Sequence, residues 1–243
     1  MHEFEYSAYD KYWGFRSWND FFTRKFRPGM RPIAAPDDDR IVINACESAP
    51  FAIARGAMLQ DRFWIKAQPY SLRDMLANDP SAEKFVGGTV YQAFLSAYNY
   101  HRWHSPVSGT VLKAENVEGT YFSEAEAEGV DPAGPNNSQG FIAHIAARAI
   151  IHIEADDPAI GHMVVMPIGM AEVSSCLIHR AIKPGARVKK GDELGCFQYG
   201  GSTHCLIFRP GVIEAFALNA LPEPNNPDPP LMLVNSHLAT AAR

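Results

Sequence analysis

The stretch Gly200-Gly201-Ser202-Thr203 separates two short apolar runs near the C-terminus of the chain. Residues 193–197 read ELGCF before it, and residues 204–208 read HCLIF after it. The length and the aromatic and β-branched content of both runs predict two strands, with the glycines and the serine at a tight turn between them. In such a turn a serine hydroxyl can attack the preceding carbonyl, because glycine reaches backbone angles that other residues avoid. An ordinary hairpin turn fits the same four residues, so the choice depends on the rest of the chain.

The composition is that of a soluble globular protein. The chain has 243 residues, 47% of them hydrophobic, and a net charge of −5. This length predicts one domain with a sizeable core, and the negative charge gives no reason to expect a nucleic-acid partner. The N-terminus does not resemble a signal peptide, and no apolar run is long enough to span a membrane. We therefore expect a soluble, cytoplasmic protein; a membrane-associated protein that has lost an upstream segment is the alternative. The four cysteines sit in apolar runs and are expected to be buried, reduced thiols.

The pattern of apolar residues predicts a short helical N-terminal portion followed by a mainly β domain. Capping boxes at Ser17 and Ser71 predict helices over 18–26 and from 71 to about 79, and the aromatic stripe of the first helix is expected in the core. The residues from 118 to 140 form one long loop, which is usually a functional or disordered feature at this length. Together these features indicate an α+β, mainly β fold with antiparallel sheets. The predicted strands cover residues 40–45, 89–100, 110–117, 141–155, 162–170, 173–181, 193–197 and 204–208.

Two histidines three residues apart, His101 and His104, precede Pro106 at the end of a predicted strand. In a straight strand their side chains would point in opposite directions, so they can serve one site only if the backbone bends between them. One core histidine and one surface histidine is the structural alternative. A zinc site would need His204 or Glu47 as a third ligand, and no ligand spacing supports it.

Glu47 follows the apolar strand 41–43 directly and lies among small residues. A carboxylate at a strand end is commonly a solvated cap. A serine that attacks a peptide carbonyl, however, needs a base, and a histidine base is usually oriented by a carboxylate. His104 and Glu47 are the chemically suitable residues for these two roles.

The chain resembles the phosphatidylserine decarboxylase family of pyruvoyl enzymes over nearly its whole length. The family pattern Tyr-His-Arg-x-His-x-Pro-x-x-Gly is matched over residues 100–109, and the self-cleavage motif Gly-Ser-Thr over residues 201–203. Shorter matches fall in the order of the family. They are Phe21, Phe22 and Arg24 in a Phe-Phe-x-Arg run, Arg31-Pro32, and Tyr70-Ser71-Leu72.

Three features depart from the family pattern. Gly200 stands where leucine is usual, which a turn should tolerate, and Glu47 stands where the family has aspartate. The apolar N-terminal helices of the lipid-processing members are not found in this sequence. The segments 103–106, 119–121, 169–173 and 200–204 are most similar to the soluble branch, which includes fungal tryptophan decarboxylases.

The resemblance implies two successive reactions. Ser202, activated by His104 and Glu47, would attack the Gly201 carbonyl and split the single domain 1–243 into a β chain, 1–201, and an α chain, 202–243. Ser202 would become a pyruvoyl group that forms a Schiff base with the substrate amine, so neither a metal nor pyridoxal phosphate is implied. His101 would bind substrate or return a proton during decarboxylation.

The substrate that this resemblance implies is a free aromatic L-amino acid such as tryptophan. The missing anchor helices and the carboxylates of the 118–140 loop favour it, since an anionic membrane surface would repel that loop. Phosphatidylserine at a membrane surface is the alternative substrate, and a homodimer is an open alternative for the assembly.

A second similarity lies in residues 182–195, which resemble half of a biotinyl or lipoyl carrier domain and part of lysostaphin-type zinc peptidases. A carrier needs a lysine at its hairpin tip, but this tip carries Gly201-Ser202. The peptidase needs a His-x-His pair, but His204 is followed by Cys205 and Leu206. We therefore predict a biotinyl/lipoyl-like barrel-sandwich core, and a non-catalytic binding module of this kind is the distant alternative to an enzyme.

Overall fold

A computed structural model describes residues 1–60, 70–125, 135–173, 175–223, 226 and 229–243. Its strands form one seven-stranded sheet and two three-stranded sheets, and the paired strands are antiparallel. The prediction of a mainly β protein with antiparallel sheets is confirmed, whereas the similarity of the core to biotinyl and lipoyl domains stays a prediction. The strands are β1 (Ile41–Ile43), β2 (Ala49–Arg55), β3 (Thr89–Leu95), β4 (Arg102–His104), β5 (Gly109–Val117), β6 (Arg148–Ala155), β7 (His162–Ala171), β8 (Ser175–Ile178), β9 (Arg187–Val188), β10 (Glu193–Gln198), β11 (Gly201–Phe208), β12 (Ile213–Phe216) and β13 (His237–Ala241).

The helices are few and short. The α-helices are α1 (Trp18–Phe22), α2 (Leu72–Met75) and α3 (Gln139–Ile145), and 3₁₀ turns cover Lys11–Gly14, Pro80–Phe85, Pro135–Ser138 and Leu218–Ala220. Ser17 caps α1 as predicted, since its hydroxyl accepts from the backbone N–H of Asp20 at 3.1 Å. The helix ends at Phe22 and does not reach residue 26. The aromatic stripe is only partly in the core, because Phe22 is buried whereas 56% of the Trp18 surface is exposed.

The seven-stranded sheet has the order β2-β3-β11-β7-β6-β5-β9 and places β11 in its interior. Each face of β11 packs into a separate apolar cluster, with Leu206 and Phe208 on one face and Cys205 and Ile207 on the other. This burial on both faces explains the unbroken apolar run in the sequence, because a strand with one solvated face would alternate. Full burial of one such leucine, isoleucine or phenylalanine contributes about 1.5–3 kcal/mol.

Three local predictions are corrected. Residues 139–145 of the predicted strand 141–155 are helical, and the strand begins only at Arg148. The predicted set of strands missed β2, which pairs with β3 along its length, and also missed β4, β9, β12 and β13. The turn before β11 comprises Tyr199 and Gly200, so Gly201, Ser202 and Thr203 lie inside the strand. In the predicted loop 118–140, residues 126–134 lie outside the described residues.

Candidate active site

The backbone departs from regular pairing at the Gly201–Ser202 bond. Gly201 pairs with Ala171 of β7 but Ser202 pairs with Gly169, so a β-bulge falls at this bond. Gly200, directly before it, has φ of +136°. A Cβ atom on Gly200 would lie 2.0 Å from the Ala171 carbonyl oxygen, so a side chain does not fit in this conformation. The glycine that replaces the usual leucine of the family is therefore required by this turn.

Ser202 is fully buried, and its hydroxyl makes no hydrogen bond with any described residue. A buried hydroxyl without a partner loses its hydration and gains no compensating bond, so such groups are rare in folded proteins. The bulge and the unpaired hydroxyl coincide at the bond that the motif designates for cleavage. The geometry leaves the Ser202 oxygen free to act as a nucleophile.

The turn 171–173 after β7 packs against this bond. Glu172 adopts φ of +63°, and its N–H donates to the Tyr121 carbonyl at 2.9 Å. Phe122 forms a β-bridge with Ala171. Residues 121 and 122 of the predicted loop 118–140 therefore lie beside the turn of Tyr199 and Gly200, which we call the cleavage turn because it precedes the Gly201–Ser202 bond. The exposed carboxylates Glu118 and Glu124 belong to the same loop, whereas Glu126, Glu128 and Asp131 lie outside the described residues.

His101 lies on the side of the turn that carries Gly200. Its Nδ1 is 2.9 Å from the Asn99 carbonyl oxygen, and its ring stacks on Phe22 with 4.0 Å between the ring centroids. Its Nε2 makes no well-aligned hydrogen bond within the described part of the chain. The pKa of His101 is lowered to about 3, mainly by burial and in addition by the charge of Arg24, while the Asn99 and Gly200 carbonyls act in the opposite direction. His101 is therefore a neutral imidazole near pH 7.

His104 lies in a different environment at the far end of β4. Its Nδ1 is 2.7 Å from the Gly191 carbonyl oxygen, and its Nε2 is 2.9 Å from the Tyr100 hydroxyl. Burial is the main cause that lowers its pKa. Three residues separate it from His101, which corresponds to about 10 Å along a strand. Among the described residues, no hydrogen bond or ring contact joins His101 to His104.

Glu47 is ion-paired with Arg31. The Arg31 Nε and one terminal nitrogen donate to its two carboxylate oxygens at 2.8 and 2.6 Å, and the backbone N–H of Val234 donates to it at 3.2 Å. Both side chains are almost fully buried, and Arg31 also reaches the exposed Glu3 at 2.8 Å. Among the described residues no direct hydrogen bond joins Glu47 to His104, or His104 to Ser202. The roles predicted for His104 and Glu47 thus stay predictions.

Two groups of this region were not assigned a role from the sequence. Arg24 is buried beside the loop that holds His101. His204 follows Ser202 by two residues in β11 and points to the same face of the sheet; it is fully buried, and neither ring nitrogen is paired with a described residue. The Phe-Phe-x-Arg run was the available signal for Arg24. For His204 the signal was a histidine inside an otherwise apolar strand.

The described residues contain no group of three side chains that could hold a metal ion. No helix among them has the length and apolar character needed to cross a membrane.

Comparison with known proteins identifies the family. The decarboxylase iboD of Amanita muscaria is 46% identical over 215 residues, covering 84% of this chain and 61% of that protein. The L-tryptophan decarboxylase of Psilocybe cubensis is 39% identical over 209 residues, covering 82% of this chain and 47% of the relative. Phosphatidylserine decarboxylase proenzyme 3 of Schizosaccharomyces pombe is 30% identical over 199 residues, covering 82% of this chain and 19% of that protein.

The chain thus spans less than two thirds of the length of each of these relatives. The sequence profile of the phosphatidylserine decarboxylase family matches residues 18–223, which include the histidine segment and the Gly-Ser-Thr motif. The chain belongs to the phosphatidylserine decarboxylase family.

Proposed function

We propose that this chain is the precursor of a pyruvoyl-dependent decarboxylase, a carboxy-lyase that cleaves itself between Gly201 and Ser202. The observation that carries the proposal is the Ser202 hydroxyl, which is buried and unpaired at a β-bulge directly after a glycine with positive φ. The residues present fit a group made from the chain, because this oxygen lies on the motif that the family uses for cleavage. The family assignment supports the same reaction.

In the cleavage step the Ser202 oxygen attacks the Gly201 carbonyl carbon and the bond to the Ser202 nitrogen breaks. His104 would take the hydroxyl proton and return it to that nitrogen, and Glu47 would hold the imidazole. Since His104 contacts Tyr100 and Glu47 contacts Arg31, this assignment requires both side chains to change partners. Loss of the Ser202 α-proton and of the Gly201 carboxylate from the ester, followed by hydration and release of ammonia, would leave the pyruvoyl end.

The pyruvoyl group supplies an electrophilic carbonyl that binds the substrate amine and withdraws electrons as carbon dioxide leaves. His101 is the residue proposed to act in this second step. Its Nε2 is unpaired on the side of the cleavage turn, and burial keeps the imidazole neutral. Its Nε2 can therefore accept a hydrogen bond from the substrate, or take up a proton and return it to the reacting carbon, without first losing a competing partner.

The proposed α chain would stay bound to the β chain after cleavage. Residues 202–243 supply nearly all of β11, which pairs with β3 on one side and β7 on the other. They also supply β13, which pairs with β1. Separation of the two chains would unpair the interior of the large sheet, so only denaturing conditions should resolve them.

For the substrate, we propose a free aromatic L-amino acid such as tryptophan. Support comes from the relatives named L-tryptophan decarboxylase, which are 39% identical to this chain, whereas five relatives named phosphatidylserine decarboxylase proenzyme are 29–32% identical. The exposed carboxylates of the loop beside the cleavage turn also favour a substrate that is free in solution. A soluble, cytoplasmic enzyme is part of this proposal.

One structural observation favours phosphatidylserine as the second candidate. An open, mainly apolar cleft of about 390 Å³ is lined by Tyr12, Trp13, Phe15, Trp18 and Phe21, with Arg16 at its edge. Exposed aromatic rings next to a basic side chain are typical of proteins that dock on a bilayer surface. Only a substrate assay decides between the two candidates.

Intact mass and a denaturing gel of the purified protein test self-cleavage. We expect two chains, the smaller one beginning at position 202 with a blocked N-terminus. Ser202→Ala should give one uncleaved chain, and Ser105→Ala, which also removes a buried serine hydroxyl, should still be cleaved. A wild-type chain that stays intact on prolonged incubation would refute the proposal.

Release of carbon dioxide should then be measured in parallel on L-tryptophan, L-phenylalanine, L-tyrosine and phosphatidylserine in mixed micelles. Turnover of an aromatic amino acid, absent in Ser202→Ala, supports the proposed substrate class. Turnover of the lipid alone would reject it in favour of the second candidate.

A further inference from the structure

The Phe-Phe-x-Arg run at α1 has no role in the function described so far, yet it packs against His101. We propose that this run is a positioning device for His101 and that Arg24 is its positioning residue, fixing the proton on Nδ1 and leaving Nε2 free toward the cleavage turn. The inference rests on the proposed function, since it concerns the histidine assigned to decarboxylation.

Phe22 fixes the plane of the imidazole. Its ring stacks on His101 at 4.0 Å between centroids with 26° between the planes. Phe197 of β10 meets His101 edge-on from another side at 6.1 Å. Because aromatic contacts of this kind restrict both tilt and rotation, the ring has little freedom to exchange its two nitrogens.

Arg24 holds the carbonyl that binds His101. One terminal nitrogen donates to the Tyr98 and Asn99 carbonyl oxygens at 2.7 and 3.2 Å, and the other donates to the Phe21 carbonyl at 3.2 Å. The Asn99 oxygen is the atom that lies 2.9 Å from His101 Nδ1. A carbonyl oxygen can only accept, so the neutral ring carries its proton on Nδ1 when this bond is made, because the Gly200 carbonyl offers Nε2 no well-aligned bond. The Asn99 carbonyl thus links the guanidinium to the choice of tautomer.

Arg24 also brings a positive charge that has no direct ion pair within the described residues close to His101. Its guanidinium lies over the rings of Phe4 and Phe21 at 4.4 and 4.7 Å, and it forms no ion pair within the described residues. A buried arginine bound only by carbonyls and aromatic faces is unusual, because buried charges are normally paired. The positive charge of Arg24 lies next to His101 and therefore opposes protonation of the imidazole.

The other elements around the ring bring no competing charge. Among the described residues, α1 presents Phe22 and β10 presents Phe197, and the turn before β11 carries Tyr199, whose ring contacts Phe22 at 6.2 Å. Arg24 is the charged group that acts on the pKa of His101, and Glu47 is the carboxylate that acts on Arg24. Replacement of Arg24 therefore isolates its effect on His101.

Two substitutions separate the two contributions of Arg24. Arg24→Lys keeps the charge but loses the planar fork that reaches three carbonyls, whereas Arg24→Gln loses the charge and keeps a single donor group. Arg27→Gln is the matched control, because Arg27 also donates to a backbone carbonyl and stacks on an aromatic ring but is exposed.

The first readout is ¹⁵N NMR of the histidine rings in the uncleaved Ser202→Ala chain, with His101→Gln to assign the signals. We expect the Nδ1–H tautomer of His101 in the parent chain and in Arg27→Gln, with no protonation above about pH 4. Arg24→Gln should raise the pKa of His101 by roughly one unit and populate the other tautomer, while Arg24→Lys should change the tautomer and leave the pKa low.

The second readout is catalysis by the matured enzyme. Arg24→Gln should mature, lose activity at least about tenfold in kcat, and show an upward shift of the acidic limb of its pH profile. The inference is overturned if folded Arg24→Gln keeps the parent tautomer and pKa of His101, even if its thermal stability falls, because Arg24 would then act on folding alone. Failure of the wild-type chain to cleave or decarboxylate would refute the proposed function, and the NMR result would still decide the role of Arg24.

Discussion

His101 and His104 belong to one five-residue segment but have opposite surroundings. His101 has one partnered nitrogen and one free nitrogen beside the cleavage turn, whereas both nitrogens of His104 are occupied. The difference arises because β4 pairs with β10, so that His104 lies opposite Glu193 while His101 lies near the turn that follows β10. The two histidines of one short motif can therefore have different surroundings: the imidazole of His101 keeps an unpaired nitrogen, whereas that of His104 must leave a partner before it can act as a base.

The largest expected effects come from removing each imidazole in turn. On the family pattern, His104→Ala should slow self-cleavage by about 10²–10⁴-fold, the usual contribution of a positioned base. His101→Ala should mature and lose decarboxylation by a similar factor. Intact mass over time measures the first reaction, and carbon dioxide release by matured protein measures the second. If His101→Ala blocks maturation and His104→Ala matures normally, the two roles are reversed, as the shorter path from His101 to Gly200 would favour.

The next effect concerns the ion pair beside His104. Glu47→Ala leaves the buried Arg31 with only the exposed Glu3, and breaking a buried pair usually costs about 3–5 kcal/mol of unfolding free energy. Glu3→Ala is the matched control and should cost about 0–1 kcal/mol. Chemical denaturation in the Ser202→Ala background measures both. Equal effects of the two substitutions would show that Glu47 contributes little to the fold.

The predicted role of Glu47 in cleavage can also be tested separately from its structural role. Replacing both partners, as in Arg31→Met with Glu47→Leu, removes the unpaired charge and should recover much of the stability. If that folded double variant still cleaves at the wild-type rate, Glu47 does not orient the base. Slow cleavage by a stable double variant would support the predicted role.

A smaller effect is expected at the cleavage turn itself. Gly200→Ala must accommodate both the positive φ and the contact with the Ala171 carbonyl, so we expect a loss of about 3 kcal/mol and slower cleavage. Gly185→Ala is the control, because Gly185 has φ of +84° but no atom within 4 Å of the added Cβ. It should cost only about 1–2 kcal/mol. Thermal unfolding compares the two, and a Gly200→Ala protein as stable as Gly185→Ala would mean that the turn can relax.

The antiparallel β fold could be predicted from the sequence, whereas the roles of Ser202, His104 and Glu47 stay predictions and the contacts of these residues could not be predicted. The strands were found because their apolar runs are bounded by turn residues, as in β11. Residues 139–145 were misassigned because a short apolar run has no period that distinguishes a buried helix from a strand. The Arg31–Glu47 pair could not be found, because sequence spacing does not report which of several nearby charges a carboxylate selects.

The pH dependence of stability tests whether buried, neutral imidazoles are a general feature of this region. Burial lowers the pKa of both His101 and His204 to about 3, whereas an unfolded histidine has a pKa near 6.5. Below pH 6.5 the unfolded chain therefore binds more protons than the folded chain. The stability is complete above pH 6.5 and falls as the pH drops toward about 3, with a slope of up to about 1.4 kcal/mol per pH unit for each histidine.

Urea unfolding of the Ser202→Ala chain between pH 7 and pH 4 measures this slope. His204→Leu should reduce the slope of the unfolding free energy against pH by the contribution of one histidine. The control His237→Gln, at an exposed position, should leave that slope unchanged. The slope is the informative quantity, because the leucine also changes packing and hence the absolute stability. A slope that His204→Leu does not alter would mean that the folded chain protonates His204 as readily as the unfolded chain does. In that case the His204 imidazole must have a partner or water access in solution. Of these histidines, His101 alone would then keep an unpaired ring nitrogen, whereas both nitrogens of His104 are paired.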